Sequence, residues 1–385
     1  MSGSEAVTID DLAGDPHPHL ARLRAEAPVA WVPALDSFLV TSLPAAVAVL
    51  RDPATFTVDD PRFSTAQVVG PSMLSRDGEE QARHRRPFVA PFRPREVAAG
   101  LEPFIRVQID SRLDRLDTNG RRGADMRTSV AAPLAAAVVA QRLGLDGRQD
   151  DVVERLVGWY GEIVSSVSAV ATGRPITAAS HVAMAELGDS LRECLRDDHS
   201  LLGIAAAHGG LGDAEVISNA GIIMFGGIET TEGMILNALW HVLNNPAVTS
   251  ELRATPSLVA AAVEESLRLE PAAAVVDRYA TRDVALAGTA IEAGAMVTVS
   301  LAGANRDPAE FADPDRFDLR RPNARRHLAF AAGPHVCIGM DLARLEARLA
   351  LTAVVARFPA LRLAPDAPPP TGLVFRKPQR LPVEW

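Results

Sequence analysis

Cys337 lies in the stretch Phe330-Ala-Ala-Gly-Pro-His-Val-Cys-Ile-Gly-Met-Asp-Leu-Ala-Arg344. Gly333 and Pro334 set a tight turn there, because glycine allows positive φ and proline fixes φ. Past Gly339 the residues take up helical spacing, with Leu342, Leu345 and Leu349 on one side. A cysteine just ahead of a helix N-terminus meets unpaired backbone N–H groups and the positive end of the dipole, and both favour thiolate over thiol. Gly339 leaves the backbone open to a flat ligand. A thiolate on such a loop suits the axial position on a haem iron. The plainer reading, a structural cysteine before an amphipathic helix, would serve for a bare Cys-x-Gly.

The second chemical cluster is Glu229-Thr230, an acid and a hydroxyl in the middle of the apolar stretch 213–246. Asp213 reads as its N-cap and Pro246 as its stop. About 30 residues make a helix of roughly 45 Å, apolar on most faces and so expected to cross the interior. Gly226-Gly227 is a weak point that costs about 1 kcal/mol per glycine against alanine and invites a kink. Without a reacting centre nearby, Thr230 would bond back to a carbonyl four residues earlier.

The full string Phe-x-x-Gly-x-His-x-Cys-x-Gly-x-x-Leu-Ala-Arg resembles the haem-thiolate signature of the cytochrome P450 family. Phe330, Gly333, His335, Cys337, Gly339, Leu342, Ala343 and Arg344 match it, while Ala331 stands where the family usually has glycine. Gly226-Gly-Ile-Glu-Thr230 resembles the family's distal-helix motif. The resemblance implies that Cys337 ligates iron, with Thr230 handling oxygen activation and Glu229 relaying protons. It also implies a mainly α fold with a small β-rich lobe, haem b lying between the long distal helix and the cysteine helix, in one domain over 1–385.

Further positions follow from the same resemblance. In Glu79-Glu-Gln-Ala-Arg-His-Arg-Arg-Pro-Phe the family carries His-x-x-x-Arg toward a haem propionate; Arg85 fills the arginine position, and Gln81 replaces the histidine. Arg278 and His335 fall at the other propionate donors. Glu265 and Arg268 share a helix face and resemble the family's structural Glu-x-x-Arg, completed by an arginine assigned to Arg321 over Arg320. Met224, Gly226, Val275, Val276, Val374 and Phe375 are expected along the substrate pocket. Arg83, Arg86, Arg93 and Arg95 read as a solvated basic face; Arg86, Arg93, Arg344 and Arg348 are the candidates for docking an acidic ferredoxin-type electron donor.

The rest of the chain is consistent with this. Hydrophobic residues are 48% and charged ones 23%, enough to bury a large core. A net charge of −9 argues against a nucleic-acid partner. The two cysteines, Cys194 and Cys337, are expected as free thiols, since Cys194 lies in a charged helical pattern. The polar, acidic start lacks the basic and apolar regions of a signal peptide. The apolar run 130–140 contains Pro133 and is far short of the ~20 residues that span a bilayer. A cytoplasmic, unanchored protein of the soluble bacterial type is expected.

In chain order, a polar lead precedes one helix near 19–27, stopped by Pro28. Two strands at 29–33 and 37–41 form a hairpin, and a helix covers 43–51. Residues 56–77 show no periodicity and read as a long loop, matching the family's pocket-lining loop. Residues 97–210 are helical, with breaks at 119–123, 144–149 and 173–177. A helix ending near 271, two strands divided at Gly288 and Gly294, and a turn-rich approach to the cysteine loop follow. The activity implied is monooxygenation of a small, largely apolar organic substrate with dioxygen and two electrons. A peroxide-driven enzyme and a non-catalytic haem-thiolate sensor are the alternatives; the acid–alcohol pair argues against the first and the apolar distal side against the second.

Overall fold

The computed structural model describes residues 7–118, 122–171, 174–198, 200–208 and 210–385. Its axis is the helix Asp213–Leu243, which runs without interruption. Met224, Leu236, Ala238 and Leu239 on it are completely buried, as an all-round apolar helix requires. The N-cap is Gly212, not Asp213: the Glu215 carboxylate accepts the Gly212 N–H at 3.0 Å, leaving Asp213 as the first helical residue. The next helix begins at Pro246, with the Asn245 side chain accepting the Val248 N–H.

Three helices pack on this axis. Ala132–Leu143 presents a small-residue face, with Ala135, Ala136 and Ala137 fully buried. A Cβ on Gly227 would stand 2.7 Å from Val139 Cγ2, so glycine allows the two helices to approach closely there. The helix is continuous through the glycine pair. Gly227 sets a packing distance, and a Cβ on Gly226 would meet only open space. Met340–Arg357 and Val259–Leu269 complete the surround, burying Leu342, Leu345 and Leu349 in the same core as Val263 and Leu267.

The β-rich part is a five-stranded sheet in the order Val29–Val32, Ser37–Val40, Met296–Ser300, Val275–Ala280, Phe56–Thr57. Only the second and third strands pair in parallel, with Phe38 opposite Val297 and Val40 opposite Val299. Val297 and Val299 point into a separate apolar cluster with Val40, Val49 and Leu50. A short sheet joins Gly123–Asp125, Pro382–Glu384 and Arg362–Leu363, and Val284–Leu286 pairs with Thr289–Ile291.

Two expectations change. Residues 56–77 are not a bare loop; they hold the strand Phe56–Thr57 and the helix Ser64–Val69. Both are too short for periodicity to register. The segment before His17–Glu26 carries a second helix, Ile9–Ala13, closed by a capping box between Thr8 and Asp11. The expected lead at 1–6 lies outside the described residues, as do parts of the breaks at 119–123 and 173–177. Among the described residues no helix is long and apolar enough to cross a membrane.

Candidate active site

The cysteine loop is fixed by its own backbone. The Cys337 N–H donates to Phe330 O at 3.0 Å, Ala331 N–H to Leu328 O at 2.8 Å and Val336 N–H to Gly333 O at 3.1 Å. Gly333 has φ +72° and a Cβ there would sit 2.2 Å from Leu50 O, so only glycine fits. Ala331 has φ +57°; at the one position that departs from the family motif, the backbone is in the region glycine adopts freely and alanine only at a cost.

Cys337 is exposed and borders a cavity of about 1320 Å³ that is also lined by residues of the long helix and of Met340–Arg357. Desolvation pushes its thiol up, outweighing the Gly339 N–H and the charges of Arg85 and Arg344. A bound metal ion would favour the thiolate, because coordination deprotonates a thiol. Cys194 is also a free thiol and is buried, whereas Cys337 is exposed.

One edge of the cavity is cationic. Arg85, Arg278 and His335 all border it. Arg278 is nearly fully buried and donates to Asp277 O at 2.7 Å. Arg85 donates to Val336 O at 2.6 Å. His335 Nε2 lies 2.7 Å from Asp77 Oδ1, while Asp77 Oδ2 accepts from Thr57 Oγ1 at 2.6 Å and Val58 N at 2.9 Å. Burial would raise the Asp77 carboxyl, but the bonds from His335, Thr57 and Val58 bring it down to about 2. Gln81 is not on the cavity wall; its amide donates to Pro334 O at 2.9 Å and steadies the loop from behind.

On the opposite wall, Gly226 and Thr230 border the cavity. The Thr230 hydroxyl donates to the Gly226 carbonyl one turn back. Glu229 does not border the cavity. Tyr160 Oη donates to Glu229 Oε2 at 2.6 Å, and Lys377 Nζ stands 2.7 Å from Oε1. Met224, expected in the pocket, is turned into the core, fully buried. Its neighbours Ile222, Ile223, Phe225 and Gly226 do border the cavity.

Val275, Val276, Val374 and Phe375 all line the chamber. Phe225 meets Phe375 edge-on, ring centroids 5.7 Å apart. Sequence reasoning missed Phe225, Tyr160, Lys377 and Glu346. Glu346 borders the cavity from the cysteine helix, is completely buried, and has no hydrogen-bond partner for Oε2 among the described residues. Desolvation pushes its carboxyl well up. The only sequence signal for these was an acid at i+3 from Glu229, namely Glu232, on an otherwise apolar helix.

Beneath the site, Glu265 and Arg268 are both 0% exposed and doubly bonded, Nε to Oε2 at 2.9 Å and Nη2 to Oε1 at 2.8 Å. Arg321 Nε adds a bond to Glu265 Oε1 at 2.9 Å, whereas Arg320 pairs with Glu251. The basic face is less open than expected. Arg83 is held by Glu80 and Glu215, and Arg344 pairs with Glu264 and lies over the Phe330 ring at 4.5 Å. Arg86, Arg93 and Arg95 are exposed.

A cysteine opening onto a large cavity, an edge bearing Arg278, Arg85 and His335, and a side-chain-free Gly339 beside the sulfur fit a thiolate-ligated haem, whose propionates those three residues would hold. The comparisons agree. The family model for cytochrome P450 matches residues 256–380. Nocardicin C N-oxygenase from Nocardia uniformis subsp. tsuyamanensis is 34% identical, covering 98% of this chain and 97% of that protein. Cytochrome P450 monooxygenase PikC from Streptomyces venezuelae is 34% identical over 97% of this chain and 92% of its own. The structure of P450BioI with a ligated acyl carrier protein superposes with a TM-score of 0.88 at 28% identity, covering 98% of this chain and 100% of that one. The chain belongs to the cytochrome P450 family, whose members carry haem-thiolate iron, and it is a monooxygenase.

Proposed function

We propose that this enzyme binds haem b through Cys337 and hydroxylates a small, largely apolar organic substrate, drawing two electrons from a ferredoxin-type donor. The observation that carries this is that Cys337, Gly226 and Thr230 line one cavity together with the apolar Val275, Val276, Phe225 and Phe375. Haem held there supplies dioxygen activation. The chain's own residues do the rest. Apolar walls exclude bulk water and orient the substrate. Thr230 turns its hydroxyl from the Gly226 carbonyl into the cavity to hold a proton at Oγ1, and Glu229 resupplies that proton. The exposed Arg86 and Arg93, with Arg348 on the cysteine helix, offer an acidic donor protein a docking surface.

A role in specialised metabolism agrees with the relatives' names, Nocardicin C N-oxygenase and Mycinamicin IV hydroxylase/epoxidase. A compound library screened for the low- to high-spin change of the ferric protein tests the reading. A compound that gives the change should then support its own oxidation with NAD(P)H and a ferredoxin system. Oxidation that proceeds only with hydrogen peroxide would refute it.

A further inference from the structure

Lys377 is buried to 4% exposure between two acids of the long helix, 2.7 Å from Glu229 Oε1 and 2.9 Å from Glu232 Oε1. These are contact ion pairs whose angles fall outside good hydrogen-bond geometry. Glu232, also 4% exposed, takes a second cation, Arg127 Nε at 2.6 Å. Arg127 is about one-third exposed and also donates to Gln379 O at 3.1 Å. Glu229, Lys377, Glu232 and Arg127 thus form a continuous chain from beside Thr230 to the surface, with two charges of each sign.

Lys377 is placed there by the backbone. Asn237 of the long helix donates to Arg376 O at 2.9 Å, and Thr371 and Lys377 exchange backbone bonds at 3.1 and 3.2 Å. A Cβ on Gly233 would stand 3.0 Å from Ala272 Cβ and 3.5 Å from both Arg376 O and Lys377 Cβ, so glycine leaves room for the C-terminal segment to lie on the helix. A carboxylate in an apolar interior is costly unless paired, and two neighbouring ones cannot both stay ionised without a cation between them. With Tyr160 on Oε2 and Lys377 on Oε1, both Glu229 oxygens are taken.

We propose that Lys377 is the positioning residue for the proton-handling acid: it keeps Glu229 ionised and parked off the cavity, and links it through Glu232 and Arg127 to the surface. This rests on the assignment of Glu229 to proton supply made above. In each turnover Glu229 leaves its Lys377 contact, takes up a proton from water entering along Glu232, and delivers it to Thr230 Oγ1 as the hydroxyl gives its own proton into the cavity, which returns Glu229 to the carboxylate that pairs with Lys377. Tyr160 adds a restraint from the helix Asp150–Ala171, whose Val167 and Val170 line the same cavity.

The test uses the ferric, haem-loaded protein and its Lys377→Met and Lys377→Arg variants, checked for folding by haem content. Infrared difference spectra at neutral pH should show a new protonated-carboxyl band in Lys377→Met. It should be absent from the wild type and from Lys377→Arg, and lost in Lys377→Met/Glu229→Gln. Reduction with a donor system and a spin-shifting substrate should then release several-fold more peroxide per NAD(P)H in Lys377→Met, with Lys377→Arg restoring most of the coupling. A folded Lys377→Met with no such band and unchanged coupling overturns the proposal. Wild-type coupling in Glu229→Gln would instead overturn the proton role of Glu229, with the carboxyl band still reporting the ion pair.

Discussion

Truncating Arg268 to alanine should destabilise the enzyme more than any exposed substitution. The guanidinium is 0% exposed and makes five bonds. Two go to Glu265, and three go to the carbonyls of Asn305 at 3.1 Å, Pro314 at 2.6 Å and Arg316 at 3.1 Å. It also lies over the Phe311 ring at 5.2 Å. Removing it leaves Glu265 buried with Arg321 as its remaining cation and strands three carbonyls. Breaking a buried pair costs about 3–5 kcal/mol, and each stranded acceptor about 1–3 kcal/mol where water cannot replace the donor. The whole fold is worth roughly 5–15 kcal/mol, so Arg268→Ala should lose about 5 kcal/mol and much of its haem occupancy. Arg268→Lys should be intermediate, because one ammonium cannot span the two Glu265 oxygens and three carbonyls. The apolar triple variant Glu265→Leu/Arg268→Met/Arg321→Met should recover part of the loss, since it removes the buried Arg321 along with its carboxylate partner and leaves no charge of the cluster unpaired. The assay is urea unfolding followed by circular dichroism at neutral pH. An Arg268→Ala stability within about 1 kcal/mol of wild type, or a triple variant worse than the single, would refute this reasoning.

Other outcomes follow from the same geometry. Ala331→Gly should stabilise the protein by about 0.5–1 kcal/mol, because relieving a left-handed alanine gains about 1–2 kcal/mol and glycine's added freedom when unfolded returns about 0.4–1; Gly333→Ala should fail to hold haem, as its Cβ would meet Leu50 O. Burial would raise the Glu264 carboxyl, but His327 and Arg344 bring it down to about 2 from an ordinary 4.5. Its stabilisation, about 3 kcal/mol, is present above pH 4.5 and lost as pH falls through 2. Glu264→Gln should therefore be less stable at pH 7 and show a flatter acid limb in unfolding titrations. Glu346 has the opposite sign: its raised carboxyl favours the fold below pH 4.5 and opposes it as pH rises. Glu346→Gln should melt higher than wild type at pH 8 and lose that advantage near pH 4.

The parts of this enzyme legible in its sequence are those where one residue type is forced. Gly333, Cys337 and the helical leucines after it could be read because turn chemistry and periodicity leave few alternatives, and Leu43–Arg51 appears with the bounds its pattern gave. The Glu265–Arg268 pair lies at helical spacing, and the structure settles its third member as Arg321. What could not be read depends on distant segments meeting. Lys377 is 148 positions from Glu229 along the chain and joins it only because Asn237 and Gly233 seat the C-terminal segment on the helix. Met224 was misplaced because its neighbours are apolar too, so hydrophobicity carried no phase. The strand and helix within 56–77 are held by tertiary contacts such as Ser218 Oγ donating to Val69 O at 2.9 Å, not by local pattern.

Reducing the purified protein, adding carbon monoxide and recording the difference spectrum tests most directly whether the Cys337 sulfur holds the haem. The wild type should show the red-displaced Soret band of thiolate ligation, and Cys337→Ala should lose it. A wild-type protein without that band, or a Cys337→Ala variant that keeps it, would contradict the assignment of the metal to this cysteine.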